Sequence, residues 1–247
     1  MKKSKGDFIM VQSNVIEYDL NDIRSKVNME IFRDTTVIVT GGAGFLGSWL
    51  VDVLFPYISK CIIIDNLSTG NIKSISHLLD SPKVIFIKGD ISRQEVVSRI
   101  HKYVNISDVD VIFHLAARAG PEDFMRYPVE TALVNSIGTY YMLQLALEGD
   151  IIFFFSSSSE VYGISSKFPT SEDFWGYVNP TGLRSAYDES KRFSETLAIA
   201  FHREYGLDIR IARIFNSYGP RLAGQPSHGR VVNRFIELAL ENEPIII

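Results

Sequence analysis

The segment formed by residues 36–47 constrains the fold more strongly than any other part of the chain. It begins with a β-branched apolar run, passes through Gly41, Gly44 and Gly47, and continues into an apolar stretch typical of a helix. Gly41 would allow a sharp turn off a buried strand, Gly44 has no Cβ to obstruct a pyrophosphate, and Gly47 would let the helix pack closely on the strand. The helix N-terminus would offer free N–H groups to phosphates. The segment therefore predicts a dinucleotide site, and the alternative is a glycine turn without a ligand.

The next apolar run ends in a carboxylate that makes the dinucleotide interpretation more specific. Asp65 follows the run 61–64. It lies roughly 20 residues after the glycines, where dinucleotide-binding folds place the acid that accepts hydrogen bonds from the adenosine ribose. A carboxylate here would repel the 2′-phosphate of NADP, and no arginine follows it immediately. The sequence therefore predicts NAD as the cofactor.

Composition argues against several other classes of protein. The 247 residues carry a net charge of −4 and one cysteine, Cys61. Such a balanced charge gives no reason to expect binding to nucleic acid or to an anionic membrane, and a single cysteine forms no disulfide within the chain. No apolar run approaches the roughly 20 residues of a membrane span, and the polar residues 1–7 are unlike a signal peptide. We therefore expect a cytoplasmic protein, and no metal site is predicted.

Strand and helix patterns alternate regularly from residue 35 onward. Apolar runs predict strands, and amphipathic stretches between them predict helices. The predicted strands are 35–40, 61–65, 83–87, 109–114, 151–156 and 208–213, and the predicted helices lie near 44–55, 92–103, 129–148, 185–205 and 230–241. This order predicts an α/β fold, a Rossmann-type doubly wound parallel sheet covered on both faces. The long connection 157–184 is predicted to be an active-site loop, because long loops in compact domains are usually functional.

Residues 1–34 form an extension before the first predicted strand. Asp19 is predicted to cap a short helix. The apolar side of that helix would consist of Leu20, Ile23, Val27 and Ile31. We expect this helix to lie on the main domain.

The carboxyl ends of parallel strands gather at one edge of a sheet, where ligands bind. The residues found there and in the glycine segment are the candidates for binding the cofactor: Gly41, Gly44, Phe45, Leu46, Gly47, Asp65, Asn66, Ser68, Thr69, Gly70, Asp90, Ile91, Leu115, Ala116 and Ala117. Asp90 is suited to the adenine amine, or alternatively to capping the helix that begins near Ser92. His114 ends an apolar strand and is predicted to be a packed residue.

The predicted catalytic signal is Tyr187-x-x-x-Lys191. Residues four apart on a helix lie on one face, and an ammonium near a phenol stabilises the phenolate, which can then accept a hydroxyl proton. The pattern is common in isolation, where it marks a solvated helix face. Here it accompanies the glycine segment and a serine-rich strand end at 156–159.

This combination resembles the extended short-chain dehydrogenase/reductase family, whose members act on nucleotide sugars. In the second half of the chain, the runs 172–180, 187–192, 210–216, 218–221 and 229–232 look like those of UDP-glucuronate decarboxylases. Ser158 and Glu160 match the Thr-Ser-Glu pattern of these decarboxylases, whereas 4,6-dehydratases carry Asp-Glu at this point. The expected lysine is replaced by Leu133, and the loop 118–123 carries acid where an acidic sugar should sit.

The resemblance implies an NAD-dependent enzyme that oxidises the sugar C4 hydroxyl, with Tyr187, Lys191, Ser158 and Glu160 as catalytic residues. Tyr187, Lys191 and Asn135 would also bind the cofactor, and the substrate-binding residues would be Asn216, Arg221 and Arg230. The implied reaction is decarboxylation of UDP-glucuronate to UDP-xylose. The alternatives are a 4-epimerase, 4-oxidase or 4,6-dehydratase acting on another nucleotide sugar, or an NAD-binding module without turnover.

The resemblance also predicts how the chain is organised. Residues 35–215 would form the NAD-binding domain, and 216–247 would begin a smaller substrate lobe. That lobe is expected to be incomplete, because the residues 244–247 look like the opening of a strand, whereas family members continue beyond it. The family commonly forms homodimers through paired helices, which here would be those near 129–148 and 185–205.

Overall fold

The computed structural model describes residues 5–165, 167–222 and 231–245, with side chains from residue 15 onward. Its centre is a six-stranded, fully parallel sheet with the strand order β3-β2-β1-β4-β5-β6. The strands are β1 Thr36–Thr40, β2 Lys60–Asp65, β3 Val84–Lys88, β4 Val111–His114, β5 Ile152–Ser158 and β6 Ile209–Ile214. This order reverses between β1 and β4 and confirms the predicted Rossmann-type sheet.

Helices cover both faces of the sheet, as right-handed crossovers between parallel strands require. In the described ranges the α-helices are α1 Lys5–Lys26, α2 Phe45–Leu54, α3 Gln94–Ile100, α4 Pro121–Arg126, α5 Pro128–Gly149, α6 Ser185–Tyr205 and α7 Val231–Glu241. Among these residues no helix combines the length and apolar character needed to cross a membrane.

The sheet separates two apolar layers, because successive residues of a strand point to opposite faces. On one face, Ile38, Ile112 and Phe155 pack with residues of α3, α5 and α6. On the other face, Val37 and Val39 pack with residues of α2. The central strands are therefore apolar on both sides, which explains their uninterrupted β-branched runs.

The N-terminal helix differs from the prediction. It extends over Lys5–Lys26 rather than forming a short helix, so Asp19 lies within it and is not its N-cap. No proline occurs between residues 5 and 26 to end the helix earlier. Val27 and Ile31 lie beyond the helix and are exposed. The helix is attached to α2 by Arg24, whose guanidinium donates hydrogen bonds to the carbonyl oxygens of Asp52 and Val53.

The connection between β5 and α6 begins with a 3-10 helix, Ser159–Tyr162, and then runs over the surface. Gly163 and Tyr177 form an isolated bridge that folds this connection back on itself. The Arg213 side chain secures the same region, donating hydrogen bonds to the Tyr162 hydroxyl and the Glu172 carbonyl oxygen. The connection ends at Arg184, the N-cap of α6, whose side chain pairs with Glu160 just after β5. Tyr187 follows in the first turn of α6.

Candidate active site

A cleft of about 870 Å³ runs along the carboxyl edge of the sheet. Residues at or just after the carboxyl ends of all six strands line this cleft. The lining also includes every described residue that was predicted to bind the cofactor or to act in catalysis, except Gly70 and Asn135. The sequence-derived residues are thus brought together in one place by the parallel topology, as expected for this class of sheet.

The glycine segment forms a tight turn that approaches its neighbours too closely for side chains. Gly41 has φ of +70°, and a Cβ there would lie 2.8 Å from the backbone of Ala116. A Cβ on Gly47 would lie 2.7 Å from the Gly42 Cα. Gly44 is the N-cap of α2, and no side chain caps that helix. The first N–H groups of α2 therefore remain available to an anion, as a pyrophosphate requires.

Asp65 is held rigidly at the end of β2. Its carboxylate accepts hydrogen bonds from the backbone N–H groups of Ala43, at 3.0 Å, and Leu67, at 2.8 Å. Burial raises the pKa of Asp65, and the two hydrogen bonds oppose that rise. A Cβ on Gly70 would lie 2.9 Å from both carboxylate oxygens, so Gly70 supports Asp65 without lining the cleft.

The Asp90 carboxylate is fixed by the residue two positions later. Its Oδ1 accepts hydrogen bonds from the Ser92 N–H at 2.9 Å and the Ser92 hydroxyl at 2.8 Å. Helix α3 begins at Gln94 with Arg93 as its N-cap, so the alternative that Asp90 caps this helix is wrong. Asp90 and Ile91 both line the cleft.

Tyr187 and Lys191 occupy the first turns of α6 and face the cleft together. The Tyr187 ring stacks on Phe124 with centroids 5.1 Å apart. The Lys191 ammonium donates a 2.7 Å hydrogen bond to the Ser156 carbonyl oxygen and lies 4.8 Å from the centre of the Phe155 ring. Burial lowers the pKa of Lys191 to about 7, while the nearby Glu195 opposes this shift. The lysine is thus poised to change protonation near neutral pH.

Ser158 and Glu160 lie where β5 passes into the loop. The Ser158 hydroxyl accepts a 3.2 Å hydrogen bond from the Glu160 N–H. The Glu160 carboxylate is paired with Arg184, whose Nε also lies 3.8 Å from Asp188. Burial raises the pKa of Asp188 to about 6, and Arg184 opposes the rise. The cleft therefore contains an Arg184–Glu160 pair beside the predicted catalytic tyrosine.

A second ionic group contributes Arg118 and Glu130 to the lining of the cleft. The Arg118 guanidinium contacts both oxygens of Asp123, at 2.9 and 3.0 Å, and the carboxylate of Glu130 at 2.8 Å. It also lies 4.8 Å from the centre of the Tyr127 ring. Arg118 is therefore matched by two acids, and the neighbouring Leu133 adds no charge to this wall.

A third ionic group lies behind the serine-rich strand end. The Ser157 hydroxyl donates a 2.5 Å hydrogen bond to Glu195, and Glu195 also accepts hydrogen bonds from Arg213. The hydrogen bonds to Glu195 raise the pKa of Arg213. Ser157 thus anchors the strand between Ser156 and Ser158, the two residues that face Lys191 and the loop.

Two of the predicted residues, Asn135 and Arg221, have protein partners in the structure. Asn135 is buried and is absent from the cleft lining, and its side-chain NH2 donates a 3.0 Å hydrogen bond to the Ser190 hydroxyl; its contact with the cofactor stays a prediction. Arg221 lines the cleft and its guanidinium is paired with Asp52; its contact with the substrate stays a prediction. Arg230 lies outside the described residues. Asn216, by contrast, lines the cleft and is exposed.

His114 is packed, as its position at the end of an apolar strand predicts. Its two ring nitrogens lie 2.8 Å from the Thr40 hydroxyl and 3.1 Å from the Thr139 hydroxyl. Burial lowers its pKa to about 3, and the nearby Lys191 contributes to the shift. His114 is therefore neutral at physiological pH and supports the core beneath the cleft.

The residues missed by sequence reasoning are Phe124, Arg184 and Glu195. Phe124 stacks on Tyr187, and Arg184 pairs with Glu160, although each is separated from its partner by more than 20 positions in the chain. Glu195 offered a local signal, because it lies four residues after Lys191 on the same helix. The other two partners become visible only after folding.

Together the fold and the site define a dinucleotide-binding α/β protein of the Tyr-x-x-x-Lys class. A family model described as the NAD dependent epimerase/dehydratase family matches residues 37–247. The chain belongs to this family. The family confirms the predicted cofactor, NAD, and the predicted kinship with nucleotide-sugar enzymes.

Individual relatives refine the comparison. UDP-glucuronic acid decarboxylase 1 of Arabidopsis thaliana is 43% identical over 211 residues, which are 85% of this chain and 46% of that protein. UDP-glucuronic acid decarboxylase 1 of Xenopus tropicalis is 38% identical over 85% of this chain and 47% of its own length. The chain therefore spans about half the length of the curated relatives it matches.

Solved structures of related enzymes share the fold. UDP-glucose 4-epimerase from Thermotoga maritima, solved with UDP-glucose, is 32% identical with a TM-score of 0.75, covering 86% of this chain and 65% of its own. DesIV, a dTDP-glucose 4,6-dehydratase from Streptomyces venezuelae solved with NAD, is 30% identical with a TM-score of 0.72, covering 84% of this chain and 63% of its own.

Proposed function

We propose that this chain carries the NAD site and the catalytic tyrosine of an enzyme that oxidises the C4 hydroxyl of a nucleotide sugar and decarboxylates UDP-glucuronate to UDP-xylose. The observation that carries this proposal is the pairing of Tyr187 with a buried lysine, Lys191, in the cleft that the glycine turn opens into. The decarboxylase relatives support the choice of substrate.

The cofactor would be held by groups whose geometry suits NAD. The uncapped N-terminus of α2 would bind the pyrophosphate, and Asp65 would accept hydrogen bonds from the adenosine ribose. Ala116 and Ala117 would leave room for the cofactor along the end of β4. Bound NAD would supply the acceptor for the hydride that leaves C4 and would return it at the end of the cycle.

Tyr187 would take the proton from the C4 hydroxyl. The Lys191 ammonium would stabilise the resulting phenolate, and the Ser158 hydroxyl would orient the sugar hydroxyl. Stacking on Phe124 keeps the Tyr187 ring in one plane. These groups would therefore supply the positioning and the proton transfer that oxidation at C4 needs.

Loss of CO₂ would follow from the ketone at C4. The bond between C5 and the carboxylate would break, the electron pair would pass to the C4 carbonyl, and C5 would then be protonated. We propose that Glu160 positions the sugar ring near C5; its carboxylate pairs with Arg184, and its backbone N–H donates to the Ser158 hydroxyl. Arg184 supplies the opposite charge next to the Glu160 carboxylate.

A second candidate function is a 4-epimerase, 4-oxidase or 4,6-dehydratase acting on a neutral nucleotide sugar. It is favoured by the wall in which Arg118 is already matched by Asp123 and Glu130, beside the uncharged Leu133. A substrate carboxylate would need an unmatched cation. The 4-epimerase and 4,6-dehydratase neighbours support this alternative. An NAD-binding module without turnover is a further alternative.

Product analysis separates these candidates. The protein would be incubated with NAD and UDP-glucuronate carrying label at C6, and the released CO₂ and the sugar nucleotide would be measured. Labelled CO₂ with a UDP-pentose is expected for the decarboxylase. A product that retains all six sugar carbons would favour an epimerase or oxidase. If UDP-glucuronate stays unchanged, the same incubation with UDP-glucose decides: turnover favours an enzyme acting on a neutral nucleotide sugar, and bound NAD without turnover favours a module without turnover.

We further propose a homodimer in the cytoplasm. Exposed apolar side chains on α5 and α6, including Leu133, Ile137, Tyr140 and Phe193, suit a shared helical interface. Residues 216–247 would begin a substrate lobe that continues the cleft. Sedimentation at several protein concentrations would test the dimer.

A further inference from the structure

The Arg221 side chain joins the segment after β6 to helix α2. Its Nη2 lies 2.5 Å from Oδ2 of Asp52, and its Nη1 donates a 3.1 Å hydrogen bond to the Ser48 carbonyl oxygen. The guanidinium also lies 4.9 Å from the centre of the Trp49 ring. The Arg221 side chain is 11% exposed and that of Asp52 is 5% exposed, so this ion pair is nearly buried.

One face of α2 contacts this segment along its length. Phe45, Trp49 and Asp52 are four and three residues apart, which places them on the same side of a helix. The Trp49 indole N–H donates a 3.0 Å hydrogen bond to the Pro220 carbonyl oxygen. A Cβ on Gly219 would lie 3.6 Å from the Phe45 ring. Residues 219–221 therefore lie along α2 rather than projecting into solvent.

The backbone conformation of Arg221 indicates that the contacts of its side chain hold residues 219–221 against α2. Its φ is +71°, in the left-handed region that residues other than glycine and asparagine seldom adopt. A turn alone would be formed more easily by glycine. An arginine in this conformation is explained by the contacts that its guanidinium makes with Asp52, Ser48 and Trp49.

The anchored segment is also a wall of the cleft. Phe215, Asn216, Ser217, Tyr218 and Leu222 line it, while the N-terminus of α2 forms its pyrophosphate end. We propose that Arg221 is a positioning residue that fixes the 215–222 wall on the cofactor helix and thereby shapes the site for the nucleotide sugar. The identity of that ligand rests on the proposed function, whereas the anchoring itself does not.

Arg221 is a better target for substitution than Asp52. The Asp52 carboxylate also lies 2.7 Å from the His77 Nε2, and its carbonyl oxygen accepts a hydrogen bond from Arg24. Replacing Asp52 would therefore remove carboxylate contacts to two segments at once, those of His77 and Arg221, whereas the backbone bond to Arg24 would remain. Arg221→Met removes the guanidinium contacts with α2 and leaves the His77 contact of Asp52 in place. Arg210→Met is a matched control, because Arg210 is 63% exposed and pairs with Asp208.

Hydrogen exchange tests the anchoring without any ligand. In Arg221→Met we expect the amides of 215–222 to exchange about tenfold faster or more, with the exchange of β1 unchanged, because local opening depends on local contacts. The control Arg210→Met should exchange like the unmodified protein. If Arg221→Met does not fold, Trp49→Phe, which keeps an aromatic ring but removes the indole N–H, should show a smaller effect in the same direction. Unchanged exchange of 215–222 would overturn the proposal.

Ligand binding tests the consequence for the site. Arg221→Met should weaken binding of UDP about tenfold or more and change binding of NAD by less than about twofold, because only the wall is displaced. Arg221→Lys, which keeps a charge for Asp52, should recover most of the UDP affinity. Equal losses for both ligands, or none, would contradict a positioning role. Failure of the unmodified protein to bind UDP would count against the proposed function, and the exchange experiment would still decide the anchoring.

Discussion

The two halves of the cleft are built in different ways. At the cofactor end, the shape comes from the backbone: Gly41 and Gly47 allow close approach, and the N–H groups of Ala43 and Leu67 hold Asp65. At the substrate end, charged side chains form the wall, through Arg118 with two acids and Arg184 with Glu160. A backbone-built site is preorganised, whereas an ionic wall depends on every partner being present.

Among the substitutions that test this comparison, we expect the largest loss of activity at Tyr187, which lies in the cleft between the cofactor end and the substrate end. Tyr187→Phe removes one hydroxyl and should lower the rate of sugar oxidation about 10²-fold or more, because a positioned proton acceptor is lost. NAD binding should stay unchanged. Transient formation of enzyme-bound reduced nicotinamide in a single turnover with a UDP-sugar, followed by rapid-mixing absorbance, measures the rate. Tyr205→Phe, on the exposed end of the same helix, is the control, and near-full activity of Tyr187→Phe would remove the tyrosine from its role.

The burial of Lys191 should make stability depend on pH. The pKa of Lys191 falls from its usual 10.5 to about 7 in the folded protein. Below pH 7 the ammonium is charged in both states, and the cost of burying it is fully present. Between about pH 7 and pH 10 the unfolded chain binds the proton that the folded chain lacks, so the free energy of unfolding should rise with pH.

Lys191→Met tests this dependence. The unmodified protein should gain on the order of 2 kcal/mol in unfolding free energy from pH 7 to about pH 9, and Lys191→Met should lose this gain. Urea unfolding at several pH values measures the difference. A parallel pH dependence of the two proteins would show that Lys191 is not desolvated as its surroundings imply.

Gly47, in the backbone-built half of the cleft, and Gly206, at the C-terminus of α6 outside the cleft lining, should respond differently to alanine. Gly47→Ala forces a Cβ against the Gly41–Gly42 backbone and should cost about 2–3 kcal/mol of unfolding free energy, because a packed backbone cannot yield easily. Gly206 has φ of +76° but no atom within 4 Å of a Cβ, so Gly206→Ala should cost only about 1 kcal/mol from backbone strain. Similar losses in urea unfolding would mean that the turn relaxes.

The contrast between the backbone-built cofactor end and the ionic substrate end also explains which parts of the site could be predicted from the sequence. The sheet, its covering helices and the cofactor residues from Gly41 to Ala117 were predicted because neighbouring residues form them, through alternation and glycine spacing. Asn135 and Arg221 were assigned ligand contacts on resemblance, yet each faces a partner on another helix, Ser190 and Asp52. Such pairs have no local pattern and depend on the folded arrangement.

The N-terminal helix shows the same limit. Asp19 precedes apolar residues at helical spacing, which suggested an N-cap at this position. Asp also occurs inside helices, so this residue type alone does not fix where a helix begins. The helix continues through this residue to Lys26. Its attachment through Arg24 to the end of α2 joins residues almost 30 positions apart and could be recognised only in the structure.

Cofactor selectivity tests most directly the claim that the backbone-built half is complete in this chain. Titration calorimetry of the unmodified protein should show tighter binding of NAD than of NADP, because Asp65 accepts ribose hydrogen bonds and repels a 2′-phosphate. Asp65→Ala should weaken NAD binding about tenfold, as expected for losing a hydrogen bond to a charged group. Equal affinity of the unmodified protein for NAD and NADP would contradict this account.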